Sequence, residues 1–365
     1  MTFAKRTAGL LALEDGRCFH GISVGHEGLA TGEVLFNTTT TGYQGAFTDP
    51  SYAGHIVAMT TPQIGNAGLN PEDDESASTP PIRGVLMREL STKVSNWRAT
   101  GSLPDFFKRH QIVALSEMDT RSLTQHLCSH GFKRGVIAAG DWSTEELIQK
   151  AKESPRIEDT DFIEQLTVSE PTEWSDPYAE ERHPICSKKI AVFDFGVNRS
   201  TLRSLNVLGA QVILLPAWTS AEDVLAMQPD GVVLSNGPGD PARLGNVAAE
   251  IAKLIGKVPI FGIALGHQIL GLALGASTYR LPFGHRGTQP IQDRRTGKVA
   301  MTGQNHSFCV AMESLPPEIE VSHINLHDGT IEGFRHENLP VFSVQFHPEA
   351  GPNDTVHLFE QFLQI

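Results

Sequence analysis

From Lys189 to Phe261 four apolar, strand-length runs recur with a helix-length interval after each, and this rhythm constrains the possible fold more than any other feature of the chain. The runs are Lys189-Ile190-Ala191-Val192-Phe193-Asp194-Phe195-Gly196, Val212-Ile213-Leu214-Leu215, Gly231-Val232-Val233-Leu234-Ser235 and Val258-Pro259-Ile260-Phe261. Such alternation predicts a parallel sheet with helices on both faces and reactive groups at the carboxyl ends of its strands. Two segments fall at such ends: Asn236-Gly237-Pro238-Gly239-Asp240-Pro241 and Gly262-Ile263-Ala264-Leu265-Gly266. The second has the form of a nucleophile elbow, in which glycines relieve the crowding of a sharp strand-to-helix turn around a strained central residue. The apolar run Gln268–Leu274 reads as the helix leaving it. At the centre, however, stands Ala264, whose methyl group cannot attack a carbonyl.

A chain of 365 residues is too long for one ordinary core, so two domains are expected. Its 29 basic and 42 acidic residues leave a formal charge of −13, which argues against nucleic acid or an anionic membrane as the main partner. Cys18, Cys128, Cys186 and Cys309 are scattered without a C-x-x-C pair, as expected for free thiols in a reducing cytosol. Only a short apolar stretch lies between Met1–Arg6 and Glu14-Asp15-Gly16, so neither a signal peptide nor a membrane span is expected, and a cytoplasmic location is.

Residues 8–60 hold short β-type runs broken by glycine, such as Gly32–Asn37 and His55–Thr60. The acidic stretch Pro71–Ser78 reads as a solvated loop and Gly84–Leu90 as another strand. Helices are expected around Phe106-Phe107 and over Ser122–Leu127. The sequence thus predicts a mixed α/β domain over 1–150 and a second domain over 188–365. Between them, 151–187 is charged and interrupted by Pro155, Pro171, Pro177 and Pro184, as in a linker.

The Asn236–Pro241 loop, the elbow with His267-Gln268 behind it, and Phe346-His347-Pro348-Glu349-Ala350 together resemble the class I glutamine amidotransferases. Phe36-Asn37-Thr38, Thr41-Gly42-Tyr43-Gln44, Thr48-Asp49-Pro50-Ser51-Tyr52, Ile64-Gly65-Asn66, Ser95-Asn96-Trp97-Arg98 and Asp119-Thr120-Arg121 resemble the small subunit of carbamoyl-phosphate synthase. The resemblance spans nearly the whole chain. It implies an N-terminal mixed α/β domain followed by an amidotransferase domain with a mainly parallel sheet flanked by helices. It also implies an activity: a cysteine thiolate attacks the side-chain amide of L-glutamine, and the resulting thioester is hydrolysed to glutamate. The ammonia released passes to a large synthetase subunit, which uses ATP, so no cofactor is expected in this chain.

By the same resemblance His347 is the residue that handles the nucleophile's proton, and Glu349 orients it. Leu265 and the Gly237/Gly239 loop supply oxyanion donors. Ser51, Gly237, Gly239, Leu265, Gln268, Asn305, Ser307 and Phe308 match the positions that bind glutamine. Ser51 belongs to the first domain, which would place the pocket between domains. The chain departs from the family at Ala264 (cysteine), Asn198 (lysine), Ser200 (asparagine) and Ser307 (glycine), and its Gly284–Pro290 segment is shortened. The expectation is therefore a glutaminase step lost at Ala264; the alternative is a structural or regulatory subunit of a synthetase that uses free ammonia. A flavodoxin-like nucleotide binder would share the alternation, but neither a G-x-G-x-x-G nor a P-loop is present.

Several nearby groups have simpler readings. His267 is expected to be structural, and Cys309 a small buried residue rather than a substitute nucleophile. His285 and His306 are read as loop residues without an H-x-x-x-H or carboxylate cluster around them, so no metal site is expected.

Overall fold

The computed structural model describes residues 6–76, 79–176, 178, 185–350 and 354–365. Met1–Lys5, Ala77, Ser78, Pro177 and Pro184, invoked above, lie outside the described residues. Two compact units divide between Thr160 and Asp161. Among the described residues no helix is long and apolar enough to cross a membrane.

The first unit is built on a closed barrel. Its strands run in the spatial order Ala8–Leu13, Cys18–Ser23, Val113–Ser116, Gly84–Leu86, His55–Met59, Gly28–Asn37 and Lys133–Ala139, and the last pairs back with the first. Alternating side chains fill the barrel: Leu11, Leu13, Val34, Ile56, Leu86, Leu115 and Ile137 are all buried. Room for them depends on small residues opposite. A Cβ on Gly9 would lie 2.1 Å from the Leu115 side chain. Helices Leu103–Arg109, Thr120–His130 and Thr144–Glu153 begin at Ser102, Asp119 and Ser143, each of whose side chains accepts a backbone N–H of the first turn. The Gly84–Leu90 run is shorter than its sequence suggests. It ends as a strand at Leu86, and Leu90 makes only an isolated bridge to Ile64.

The second unit contains a ten-stranded sheet. Its parallel core has the order Val341–Val344, Ile260–Ile263, Gly231–Leu234, Lys189–Asp194 and Gln211–Pro216. This is the half that the strand-helix rhythm predicts. An antiparallel wing extends it through Ile331–His336, Ile319–Asn325, Thr278–Asp293 and Val299–Val310.

The segment read as a linker is structured where it is described. The helix Thr144–Glu153 and the 3-10 turn Ile157–Asp159 end the first unit, whereas Ile163–Leu166 form a helical turn of the second unit and Thr172–Glu173 pair antiparallel with Ile213–Leu214. The Asp194 carboxylate accepts the Val168 N–H, and Arg203 pairs with Asp176. Prolines conceal these short elements because they remove the periodicity by which a longer element is recognised.

Candidate active site

Ala264 occupies the turn between strand Ile260–Ile263 and helix Leu265–Ala273 with φ 52° and ψ −108°. Positive φ is costly for any residue with a Cβ, by about 1–3 kcal/mol, and persists only where surrounding structure enforces it. Here two backbone hydrogen bonds do so. The Ala264 N–H donates to Val344 O at 2.9 Å and the Gly266 N–H to Ser235 O at 2.9 Å, tying the elbow to the strand ends on either side. The flanking glycines are required by contact. A Cβ on Gly262 would meet Gly266 O at 2.7 Å.

His347 follows strand Val341–Val344, whose Val344 is the register partner of Ile263, so the imidazole and the elbow leave neighbouring parallel strands at the same end. Its N–H donates to Gly303 O at 2.9 Å. Its Nδ1 lies 3.0 Å from Glu349 Oε1, which also accepts Thr201 Oγ1–H at 2.9 Å. Burial pushes the Glu349 carboxyl up. The adjacent His347, its hydrogen bond, a backbone N–H and Thr201 more than reverse this, so the carboxyl stays below its ordinary value of 4.5. The result is an imidazole oriented by a buried carboxylate, the arrangement a general base needs.

A lowered carboxyl pKa in the folded state gives stability that is complete above the unfolded value and lost as pH falls through the folded one. Denaturant unfolding of the native chain is therefore expected to weaken with acid below about pH 4.5. The Glu349→Gln chain should show a shallower slope in that window. Identical slopes would mean that this carboxyl does not contribute to acid sensitivity.

The Asn236–Pro241 loop is shaped by its glycines. A Cβ on Gly237 would lie 2.2 Å from Phe195 O, and Gly239 has φ +97°. Asn198 and Asn236 pair reciprocally, the Asn198 N–H donating to Asn236 Oδ1 and Asn236 Nδ2–H to Asn198 Oδ1, each at 3.0 Å. Gln268 Nε2 donates to Phe308 O at 2.7 Å and to Gln345 Oε1 at 3.0 Å, which brings together two of the positions expected to contact glutamine. Ser307 uses its hydroxyl to accept from Arg286 Nη2 at 2.6 Å, a bond that glycine could not make. Gly237, Gly239, Leu265, Gln268, Asn305, Ser307 and Phe308 all belong to the second unit. Ser51 belongs to the first, in the short turn Pro50–Tyr52, where its N–H donates to Asp49 Oδ1.

His267 is fully buried, shares a 2.8 Å hydrogen bond with Ser343 Oγ and packs on Phe334. Burial, reinforced by His323, lowers its pKa to about 3, so it is neutral and structural. Cys309 is buried within strand Val299–Val310, and burial raises its thiol well above the ordinary range, which disfavours the thiolate that a nucleophile would need. Sequence reasoning missed Thr201, Ser343, Gln345 and Arg286, whose roles arise only from contacts between distant segments. His285 and His306, read as loop residues, lie instead in the paired strands Thr278–Asp293 and Val299–Val310, where they meet Glu332; the glycines and prolines of the first strand mask it as a loop.

The Glutamine amidotransferase class-I family matches residues 191–365, so the second unit is a domain of that class. The Carbamoyl-phosphate synthase small chain, CPSase domain, matches residues 11–137. The carbamoyl phosphate synthase small chain of Synechococcus sp. is 48% identical over 100% of this chain and 95% of its own length. That of Syntrophotalea carbinolica is 48% identical over 98% and 97%, and that of Aquifex aeolicus 43% over 99% and 99%. The chain belongs to the carbamoyl-phosphate synthase small-chain family.

Proposed function

We propose that this chain is the amidotransferase subunit of a carbamoyl-phosphate synthase in which the glutaminase half-reaction is silent, and that it partners a large synthetase subunit. The observation that carries this reading is the elbow itself. Ala264 keeps the strained conformation of a nucleophile position and lies at the same strand ends as the His347–Glu349 pair, yet presents only a methyl group. Glutamine hydrolysis through a covalent intermediate needs a group that can add to the amide carbon and later leave it. Without a thiol no thioester forms, and His347 has no nucleophile from which to take a proton. Ser51, Gly237, Gly239, Leu265, Gln268, Asn305, Ser307 and Phe308 remain the proposed glutamine contacts, where paired polar groups offset the desolvation of the ligand's ammonium and carboxylate.

Isothermal titration of the chain with L-glutamine, alongside an assay for glutamate, tests this reading. The expected result is saturable binding without glutamate release. Absence of binding would favour a purely structural or regulatory subunit of an ammonia-using synthetase, a reading supported by the Arg286–Ser307 bond at a proposed glutamine contact. Steady glutamate production would overturn both.

A further inference from the structure

The antiparallel wing of the second unit gathers His285, His306 and Glu332 in its interior, each offering a ligand atom within 4.8 Å of the others. His285 and His306 are register partners on paired strands, their rings 4.9 Å apart and perpendicular. Glu332 reaches them from strand Ile331–His336 and is wholly buried.

The hydrogen bonds around the cluster anchor the outer side of both rings. His285 Nε2 lies 2.9 Å from Asp328 Oδ2, so its N–H is held by a carboxylate and Nδ1 points inward. Against the cost of burial, Glu332 and Asp328 favour the protonated ring, and a metal would bind there by displacing the Nδ1 proton. His306 Nδ1 lies 2.9 Å from Phe308 O, a carbonyl that can only accept, so Nδ1 carries the hydrogen and Nε2 the lone pair. Carboxylate or carbonyl anchoring of one nitrogen is how proteins orient a metal-binding imidazole.

Three potential ligand atoms converge inside. His306 Nε2, left with its lone pair, lies 2.8 Å from the Gln304 side-chain amide. His285 Nδ1 and Glu332 Oε2 are buried and make no hydrogen bond of normal length and angle among the described residues. The His285 Nδ1 to Glu332 Oε1 separation of 3.6 Å is too long for a hydrogen bond and close to the roughly 3.3 Å that separates two ligands on one tetrahedral zinc. Glu332 Oε1 is steadied by Asn325 Nδ2 at 3.0 Å, completing a supported donor set.

We propose that His285 Nδ1, His306 Nε2 and a Glu332 carboxylate oxygen form a buried site for a divalent transition-metal ion of the zinc type. Two imidazoles and a carboxylate suit zinc and leave a fourth position, which Gln304 Oε1 is placed to fill. The ion would bind together three strands of the wing, including the segment that carries Asn305, Ser307 and Phe308. This role is independent of glutamine chemistry.

The test uses the full chain, stripped with chelator, dialysed against Zn²⁺ and analysed for metal content. About one zinc per chain is expected. Co²⁺ loading should give the visible absorption of a tetrahedral site. Glu332→Gln should abolish stoichiometric retention. Asp328→Asn, at a partly exposed position that leaves the core intact, should weaken affinity by about 10–100-fold. Substoichiometric zinc in the native chain, or zinc affinity unchanged in Asp328→Asn and Glu332→Gln alike, would overturn the proposal and leave the cluster as a proton-linked hydrogen-bond network.

Discussion

Ala264→Cys is expected to raise glutamate release from background by about a thousand-fold or more, since loss of a covalent nucleophile ordinarily costs at least that much. Cysteine adds one sulfur to a Cβ already held by the Ala264-to-Val344 and Gly266-to-Ser235 hydrogen bonds, so the turn needs no rearrangement. The imidazole that would accept the thiol proton is already oriented, with Glu349 at Nδ1 and Thr201 behind Glu349. Mass spectrometry of the Ala264→Cys chain quenched during turnover should detect a glutamyl adduct absent from the native chain. Glutamine binding without turnover would shift the obstruction to Ser307, whose hydroxyl holds Arg286, and Ala264→Cys with Ser307→Gly would then be the active combination. A double variant that is also silent would sink the view that a missing thiol is what blocks the reaction.

The parallel core was legible because each strand announces itself locally. Ile190 to Phe193 and Val232 to Leu234 are unbroken apolar runs, as strands buried on both faces require. The elbow was legible for the same reason, since its glycines answer to contacts within a few residues or with an adjacent strand end. The wing was not. Thr278–Asp293 is broken by Pro282, Gly284 and Gly287, and its register shifts between Arg280 and His285, so no alternation survives to mark it. Closure of the first unit's barrel was equally hidden, because it depends on Ala8–Leu13 meeting Lys133–Ala139, a pairing that neither strand encodes by itself.

Within the site, the same division holds. His347 and Glu349 are two residues apart and could be paired on paper, whereas Thr201 reaches the same carboxylate from 148 positions away. The reciprocal Asn198–Asn236 bonds illustrate how a departure from the family pattern is absorbed. The Asn198 side chain accepts from the Asn236 amide while its backbone N–H donates back, and the loop preceding Gly237 is held by that pair. His285, His306 and Glu332 were invisible as a group because they come from three strands and no fixed spacing relates them.

Gly266→Ala is expected to destabilise the second unit by more than about 3 kcal/mol, the upper part of the range for overpacking against atoms that cannot move away. The added Cβ would stand 2.1 Å from Leu234 O and 2.5 Å from Leu234 C, which are backbone rather than a pliable side chain. Strand Gly231–Leu234 cannot yield, because it is paired on one side with Lys189–Asp194 and on the other with Ile260–Ile263. Ala264→Gly two residues earlier should cost little or nothing. Relief of about 1–3 kcal/mol of backbone strain is set against about 0.8 kcal/mol of lost methyl burial and about 0.4–1 kcal/mol from the freer unfolded chain, for a net change between about 1 kcal/mol of loss and about 2 kcal/mol of gain. Urea unfolding of both variants measures the contrast. Similar losses in the two would mean that the turn is held by general packing and not by the close backbone approach at Gly266, and the strain assigned to Ala264 would fall with it.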